Sequence, residues 1–297
     1  MKKEVTFWVE RYFYNPSTFQ KLLSILLLPL SWLYCFGMYV RFQLQKEKDF
    51  GIDIISVGNL NVGGSGKTPL VTALAKEYED VAIILRGYGR KSHGLYVVKN
   101  RDKILVDVQI SGDEAMIYAQ KVPNAIVIVS EDRKEGIEKA KEMGAKQIFL
   151  DDAYSKHKIK KRDIIINVES KNSACLPSGP FRERLWKSTN RRVIYEDVDF
   201  KRHVTLKNST KKMVLVTAIA RPERLDAFLP MVIAKYYFHD HYSFNKEELL
   251  EIIEKEDADS LLVTYKDFVK IKSFGIPLSL LDLDVEVNAS LLDFINS

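Results

Sequence analysis

The sequence predicts an α/β fold in which a parallel sheet core is followed by a smaller α/β lobe and preceded by an apolar helix. Three observations predict it. From residue 49 onward, short continuously apolar runs alternate with amphipathic helical stretches, the pattern of strands covered on both faces. One of those runs leads into a glycine-rich loop that opens a helix. Nineteen consecutive uncharged residues, 22–40, stand apart from everything after them.

Residues 1–48 read as a membrane-associated segment. The uncharged run lies between Lys21 and Arg41, and as one helix it would measure roughly 28 Å at about 1.5 Å per residue. Before it come Phe7, Trp8, Tyr12, Phe13, Tyr14 and Phe19, of a kind that favours a membrane interface. The late start, and no small-residue cleavage site after Val40, read against a secretory signal peptide. Basic residues flank the run on both sides, Lys2, Lys3, Arg11 and Lys21 before it and Arg41, Lys46 and Lys48 after. A spanning helix would place one set outside, against the positive-inside rule. Pro29 would kink the helix, which suits a segment that dips into or lies on the surface. The alternative is a buried apolar helix of a soluble core.

Residues 49–190 read as the core. Strands are predicted at 52–57, 81–85, 125–129, 147–150 and 164–167, with helices from Lys67 to Tyr78, over 112–121 and after Glu131. Between the first strand and first helix lies NVGGSGKT: Asn61, Val62, Gly63, Gly64, Ser65, Gly66, Lys67 and Thr68. Glycines let backbone N–H groups turn inward around phosphate oxygens, a lysine reaches the β- and γ-phosphates, and a Ser or Thr hydroxyl meets Mg2+. The core is therefore P-loop NTPase-like, with ATP and Mg2+ as the implied nucleotide and metal. Asn61 stands where the strict pattern has glycine, and asparagine tolerates left-handed dihedrals better than most residues. The strand QIFLDD ends in Asp151 and Asp152, the place of an acid that supports Mg2+. RGYGRK, 86–91, follows the second strand, at the edge where open α/β sheets bind ligands. GDEA sets Asp113 and Glu114 at a helix start, where a carboxylate either complements the helix dipole or accepts a proton from an attacking hydroxyl.

CLPSGP, 175–180, interrupts the alternation, and 191–212 reads as connecting strands. A smaller lobe occupies 213–297, with strands at 213–219 and 232–238, a helix from Pro222, the stretch FHDHYSF at 238–244, and further alternation to the end. The composition is globular, with 46% hydrophobic and 29% charged residues, which excludes a disordered chain. A net charge of +5 and a pI near 8.9 suit anionic lipid or phosphorylated substrate. No nucleic-acid recognition motif accompanies the basic residues. Cys35 and Cys175 are far apart in chain and context, so neither a disulfide nor a metal site is expected, and a reducing compartment is the simpler setting.

SVGNLNVGGSGKTP, RGYGR, GDEA, LDDAY, LPSGPFRE, AIARPER, FHDHYSF and TYKD, in this order from about residue 5 to about residue 270, resemble the tetraacyldisaccharide 4'-kinase family. The resemblance implies phosphoryl transfer from ATP to the 4'-hydroxyl of tetraacyldisaccharide 1-phosphate, the lipid A precursor. It also implies a cytoplasmic active site on the bacterial inner membrane and two lobes that close on nucleotide. By that match Asp113 is the general base, His241 pairs with it, and Lys67 and Thr68 hold phosphates and Mg2+. Asp151 and Glu183 assist at the metal, and Arg86, Tyr88, Arg90 and Arg182 contact substrate, with Arg184 as a further candidate. The chain departs from the family where DDGFQH is common and DDAYSK stands here; His157 reads as a surface residue.

The rival reading is another membrane-peripheral P-loop NTPase with a regulatory or chaperone role. The Asn-Lys-x-Asp element of guanine specificity does not occur; TYKD lacks the asparagine. The oligomeric state is not set by these features.

Overall fold

β1 (Asp53–Gly58), the strand that feeds the glycine-rich loop, is buried along five of its six residues, as its apolar run requires. In the computed structural model, which describes residues 2–186, 190–219 and 222–296, it lies inside an eight-stranded sheet. The other strands are β2 (Val81–Leu85), β3 (Tyr96–Asn100), β4 (Lys103–Ile104), β5 (Ile126–Val129), β6 (Gln147–Asp151), β7 (Arg162–Ile166) and β8 (Arg191–Ile194), in the order β4-β3-β5-β2-β6-β1-β7-β8. All pairings are parallel except those of β3 with β5 and β4. These two edge strands escaped the sequence reading: β3 exposes Tyr96 and Asn100 and lacks the continuous apolar run of a central strand. Helices α4 (Lys67–Ala75), α5 (Val108–Ser111), α6 (Asp113–Lys121) and α7 (Arg133–Glu142) are interleaved with the strands, and two apolar clusters sandwich the sheet.

A second, five-stranded sheet has the order β11-β10-β12-β13-β9. It comprises β9 (Phe200–Lys207), β10 (Met213–Thr217), β11 (Ala234–Tyr237), β12 (Ser260–Thr264) and β13 (Leu278–Val287), with only β9 antiparallel to its neighbour. Helices α8 (Lys246–Lys255) and α9 (Tyr265–Ile271) complete the lobe, while α10 (Ala289–Asn296) returns to the first sheet and buries Leu291 and Ile295 in its apolar cluster. Residues 191–212 divide between the sheets as their edge strands β8 and β9 rather than forming a separate connection. The helix expected from Pro222 is a 3-10 turn, Pro222–Phe228, none of whose side chains is buried. The lobes are fastened where Lys121, ending α6, pairs with Asp282 and Asp284 of β13.

The N-terminal segment folds as α1 (Lys2–Tyr14), α2 (Thr18–Leu26) and α3 (Leu28–Gln43). The kink expected from Pro29 in the 22–40 run appears as a break at Leu27, with a 55° bend between α2 and α3. The break falls just before Pro29, whose ring cannot sit within a continuous helix. Cys35 on α3 and Cys175 form a disulfide with their Cα atoms 6.1 Å apart, against the expectation that they stay unpaired. Nothing local predicts the pairing. It follows from α3 lying across the 174–184 loop, where Ser178 N–H donates to Ser31 Oγ at 2.8 Å. The side chains of Lys2, Lys3 and Phe7 lie outside the described residues, as do 187–189 after LPSGPFRE and 220–221 of AIARPER.

Candidate active site

The glycine-rich loop is held from outside by the segment that follows Pro177. Val62 N–H donates to Pro180 O at 2.9 Å, and Arg182 and Glu183 N–H both donate to Leu60 O. Asn61 is buried and donates to Val168 O at 3.1 Å, so it serves the loop's anchorage. Gly63 and Gly66 take positive φ of 106° and 75°, which L side chains rarely adopt. Lys67 opens α4, and its Nζ lies 3.0 Å from Asn59 Oδ1, 3.2 Å from Ser65 Oγ and 3.4 Å from Asp152 Oδ1. Arg182 converges on the same atoms, 3.0 Å from Asn59 Oδ1 and 2.5 Å from Asp152 Oδ1. Burial opposes charge on Asp152, but Lys67 and Arg182 outweigh it and hold its carboxyl below the usual range. Two cations thus gather at the loop, a setting for polyphosphate.

Asp151 ends β6 almost completely buried. Its Oδ2 accepts from the Tyr118 hydroxyl at 2.9 Å, and its Oδ1 has no partner. Burial, then the nearby charge of Glu114, pushes its carboxyl up to about 7. The Thr68 side chain lies near the same Tyr118 hydroxyl, which puts Thr68 and Asp151 in one neighbourhood. An orphaned carboxylate oxygen beside a threonine hydroxyl fits Mg2+, which takes one or two protein oxygens and shares the rest with phosphates and water. Among the described residues no three His, Cys, Asp or Glu side chains cluster as a metal site of their own. Glu183 is not drawn to this pair. It is buried against Arg41 of α3, at 2.8 Å, and His157, at 3.7 Å.

Across from the loop, Asp113 opens α6, where the helix dipole favours a carboxylate. His241, from the turn after β11, brings Nδ1 to 3.1 Å from Asp113 Oδ2. Lys270 Nζ lies 3.3 Å from the same oxygen. Both contacts fall on Oδ2, which leaves Oδ1 for an incoming hydroxyl. Burial works to raise the Asp113 carboxyl, but the His241 hydrogen bond, Lys270 and Lys266 hold it below its ordinary value. It is therefore ionised at neutral pH and ready to accept a proton. His241 itself has φ of 60°, and its Nε2 faces Lys266 at 3.4 Å and Asp240 at 3.6 Å. Gly89 passes so close that a Cβ there would lie 3.1 Å from His241 Nδ1, and the Tyr88 ring sits 5.1 Å from the imidazole. Fully buried Asp267 sets this wall: it accepts from Thr217 and Thr264 hydroxyls at 2.7 and 2.8 Å, tying β10 and β12 to the helix that carries Lys266 and Lys270.

A third feature adjoins α3. A cavity of about 540 Å3 is lined by Arg41, Arg133, Lys134, Lys156 and Lys158, with Glu131 and Asp132. Burial and the charges of Arg133, Arg86 and Arg41 hold the Lys156 ammonium below its usual range. Cations pressed together in this way favour an anion between them.

The structure thus gathers Lys67, Thr68, Asp151 and Arg182 at the loop, and Asp113, His241 and Tyr88 at the lobe junction, with Arg86 towards the cationic cavity. Arg90 is not gathered with them. Its side chain is buried in its own loop, donating to Gly94 O and pairing with Glu131, both at 2.5 Å. His157 is a buried residue wedged edge-on against Phe42 and Tyr154, not the expected surface one. Asn59, Tyr118, Lys266 and Lys270 escaped the sequence reading. The only available signal was position: Asn59 within the strand–loop junction and the two lysines around TYKD.

A family model described as Tetraacyldisaccharide-1-P 4'-kinase matches residues 23–195 and 190–297. A tetraacyldisaccharide 4'-kinase of Aliarcobacter butzleri is 44% identical over all of this chain and 99% of its own length. Proteins of the same name from Campylobacter jejuni and Helicobacter acinonychis are each 46% identical over the whole chain and cover 97% and 96% of their own. Among solved structures, LpxK from Aquifex aeolicus in complex with ATP superposes with a TM-score of 0.73 at 25% identity, over 92% of this chain and 98% of that one.

The raised Asp151 carboxyl carries a prediction. In ligand-free protein its folded pKa, about 7, exceeds the ordinary 3.8, so the folded state keeps a proton that the unfolded chain releases. Stability therefore falls as pH rises between those values. Asp151→Asn removes the effect, so its stability advantage over the parent should grow from about pH 4 to about pH 7 and then level off. Urea midpoints across that range check this; an advantage that does not change with pH would contradict it.

Proposed function

The chain belongs to the tetraacyldisaccharide-1-P 4'-kinase family and phosphorylates the 4'-hydroxyl of the lipid A precursor with ATP, and we propose that Asp113 and His241 form the acid–base pair of that transfer. The carrying observation is their 3.1 Å contact, made from opposite lobes. The acceptor is a secondary alcohol, unreactive at neutral pH without an oriented base. Asp113 Oδ1 takes its proton as the new oxygen–phosphorus bond forms and the bond to the β-phosphate oxygen breaks, releasing ADP. His241 fixes the other carboxylate oxygen, and Lys270 keeps the carboxylate charged until the proton arrives. Lys67 and Arg182 carry the positive charge that meets the phosphates, after which Asp152 is freed from them. Thr68 and Asp151 would hold Mg2+, which would supply further charge neutralisation on the phosphate oxygens.

The lipid's own phosphate suits the cationic cavity of Arg41, Arg133 and Lys156, with Arg86 beside it. The polarity of α2 and α3 supports docking on the cytoplasmic face of the inner membrane. Their polar residues Gln20 and Ser31 are buried against the protein, while Phe19, Leu22, Leu26, Trp32, Leu33 and Phe36 are more than three-fifths exposed. This is inside-out for a helix in water and right for one in lipid. No single described helix is long and apolar enough to cross a membrane, and the bent pair suits insertion into one leaflet.

Two measurements test this reading. Purified protein incubated with Mg-ATP and tetraacyldisaccharide 1-phosphate in detergent should give the bisphosphorylated lipid. Asp113→Asn should lower kcat by about 100- to 10,000-fold while ATP still binds; Lys156→Gln should raise KM for the lipid and leave KM for ATP unchanged. Nucleotide hydrolysis with no lipid product would favour the peripheral NTPase. Secondly, the protein should float with anionic vesicles, and the triple variant Leu22→Glu, Leu26→Glu, Leu33→Glu should not, with ATP binding intact. Undiminished flotation would remove the helices from the membrane.

A further inference from the structure

Two arginines of the second lobe reach the phosphate loop from behind. Arg202 on β9 donates from Nη2 to Ser65 O at 3.0 Å, and its Nη1 is held by Glu196 at 2.8 Å. Arg224, in the 3-10 turn after β10, donates from Nη1 to Gly64 O at 2.9 Å. The fit is close: a Cβ on Gly66 would run into the Arg202 guanidinium. Neither arginine belongs to the loop's own sheet.

The geometry points to Arg202 and Arg224 as positioning residues that aim the loop's N–H groups at the nucleotide. In a trans peptide the C=O and the following N–H point in opposite directions. A guanidinium on Gly64 O therefore turns the Ser65 N–H the other way, and one on Ser65 O does the same for Gly66 N–H. Two successive donors are fixed towards the cradle by charges outside it, and a charge-assisted bond is the strong kind. Left alone, a glycine-rich loop would lose much conformational freedom on binding phosphate. Here the second lobe has already taken up that freedom, so affinity for ATP depends on a lobe that contributes nothing to the loop's sequence. Glu196 keeps Arg202 in place without competing for the carbonyl.

This rests on the reading that the loop holds ATP, and the test separates the two. Binding of ATP to the full-length protein is measured by equilibrium dialysis, with KM for ATP and for tetraacyldisaccharide 1-phosphate measured in parallel. Arg202→Ala and Arg224→Ala should each weaken ATP binding about 10-fold, the size expected for a lost charged hydrogen bond. KM for the lipid and the ligand-free unfolding midpoint should stay near those of the parent. Arg202→Lys and Arg224→Lys should recover part of the loss, because one ammonium donor can still reach the carbonyl. Parent that binds ATP alongside alanine variants that bind it equally well would overturn the proposal alone. Equal losses for both substrates with a lowered midpoint would overturn it too, reducing the arginines to general packing. Parent that fails to bind ATP would overturn the reading of the loop itself.

Discussion

A carboxylate serves as base to an alcohol only if it is ionised and oriented, and in the proposed mechanism the contact between Asp113 and His241 at the seam of two sheets meets both conditions. Everything nearby is arranged around it. The loop after β2 and the turn after β11, each at the carboxyl end of its strand, meet at the imidazole. Gly89 lets the loop after β2 approach the imidazole, and Asp267 fixes the helix whose lysines keep Asp113 charged. The pairing of Lys121 with Asp282 and Asp284 ties the far end of α6 to the other lobe. Because Asp113 and His241 come from different lobes, their alignment depends on how the lobes meet, and under the proposed mechanism a poorly closed molecule would waste little ATP.

A second constraint is that the acceptor's acyl chains do not leave the bilayer. The N-terminal helices have inverted polarity, serines and a glutamine inward and large apolar side chains outward, which is what the proposed docking on lipid requires. The same helices touch the chemistry. Tyr14 bonds to Val62 O in the phosphate loop, Arg41 holds Glu183, and Cys35 is joined to Cys175 before the segment that braces the loop. The N-terminal helices, the segment that braces the loop and the cationic cavity are thus one connected body.

Much of this was legible in the sequence, and the division follows contact range. The phosphate loop, Asp151 and Asp113 lie at strand and helix ends, so local patterning finds them. His241 was reachable only through family resemblance, since a histidine after a strand carries no signal by itself. Arg90 and Glu183 look alike in sequence to ligand-binding residues, yet their charges are spent on Glu131 and Arg41, partners 41 and 142 residues away. The disulfide and the burial of His157 likewise come from α3 packing across the core, whereas the bend at Leu27 follows the local signal of Pro29. In DDAYSK the departure from DDGFQH keeps both acids, and Lys156 adds a cation to the cavity beside α3.

The central claim is that Asp113 and His241 act as one unit across the lobe junction. A double-mutant cycle on kcat/KM for lipid phosphorylation, with Asp113→Ala, His241→Ala and both together, tests it most directly. The account predicts strong non-additivity, the double variant being about as slow as the slower single one. Losses that simply multiply would show two independent residues and contradict it.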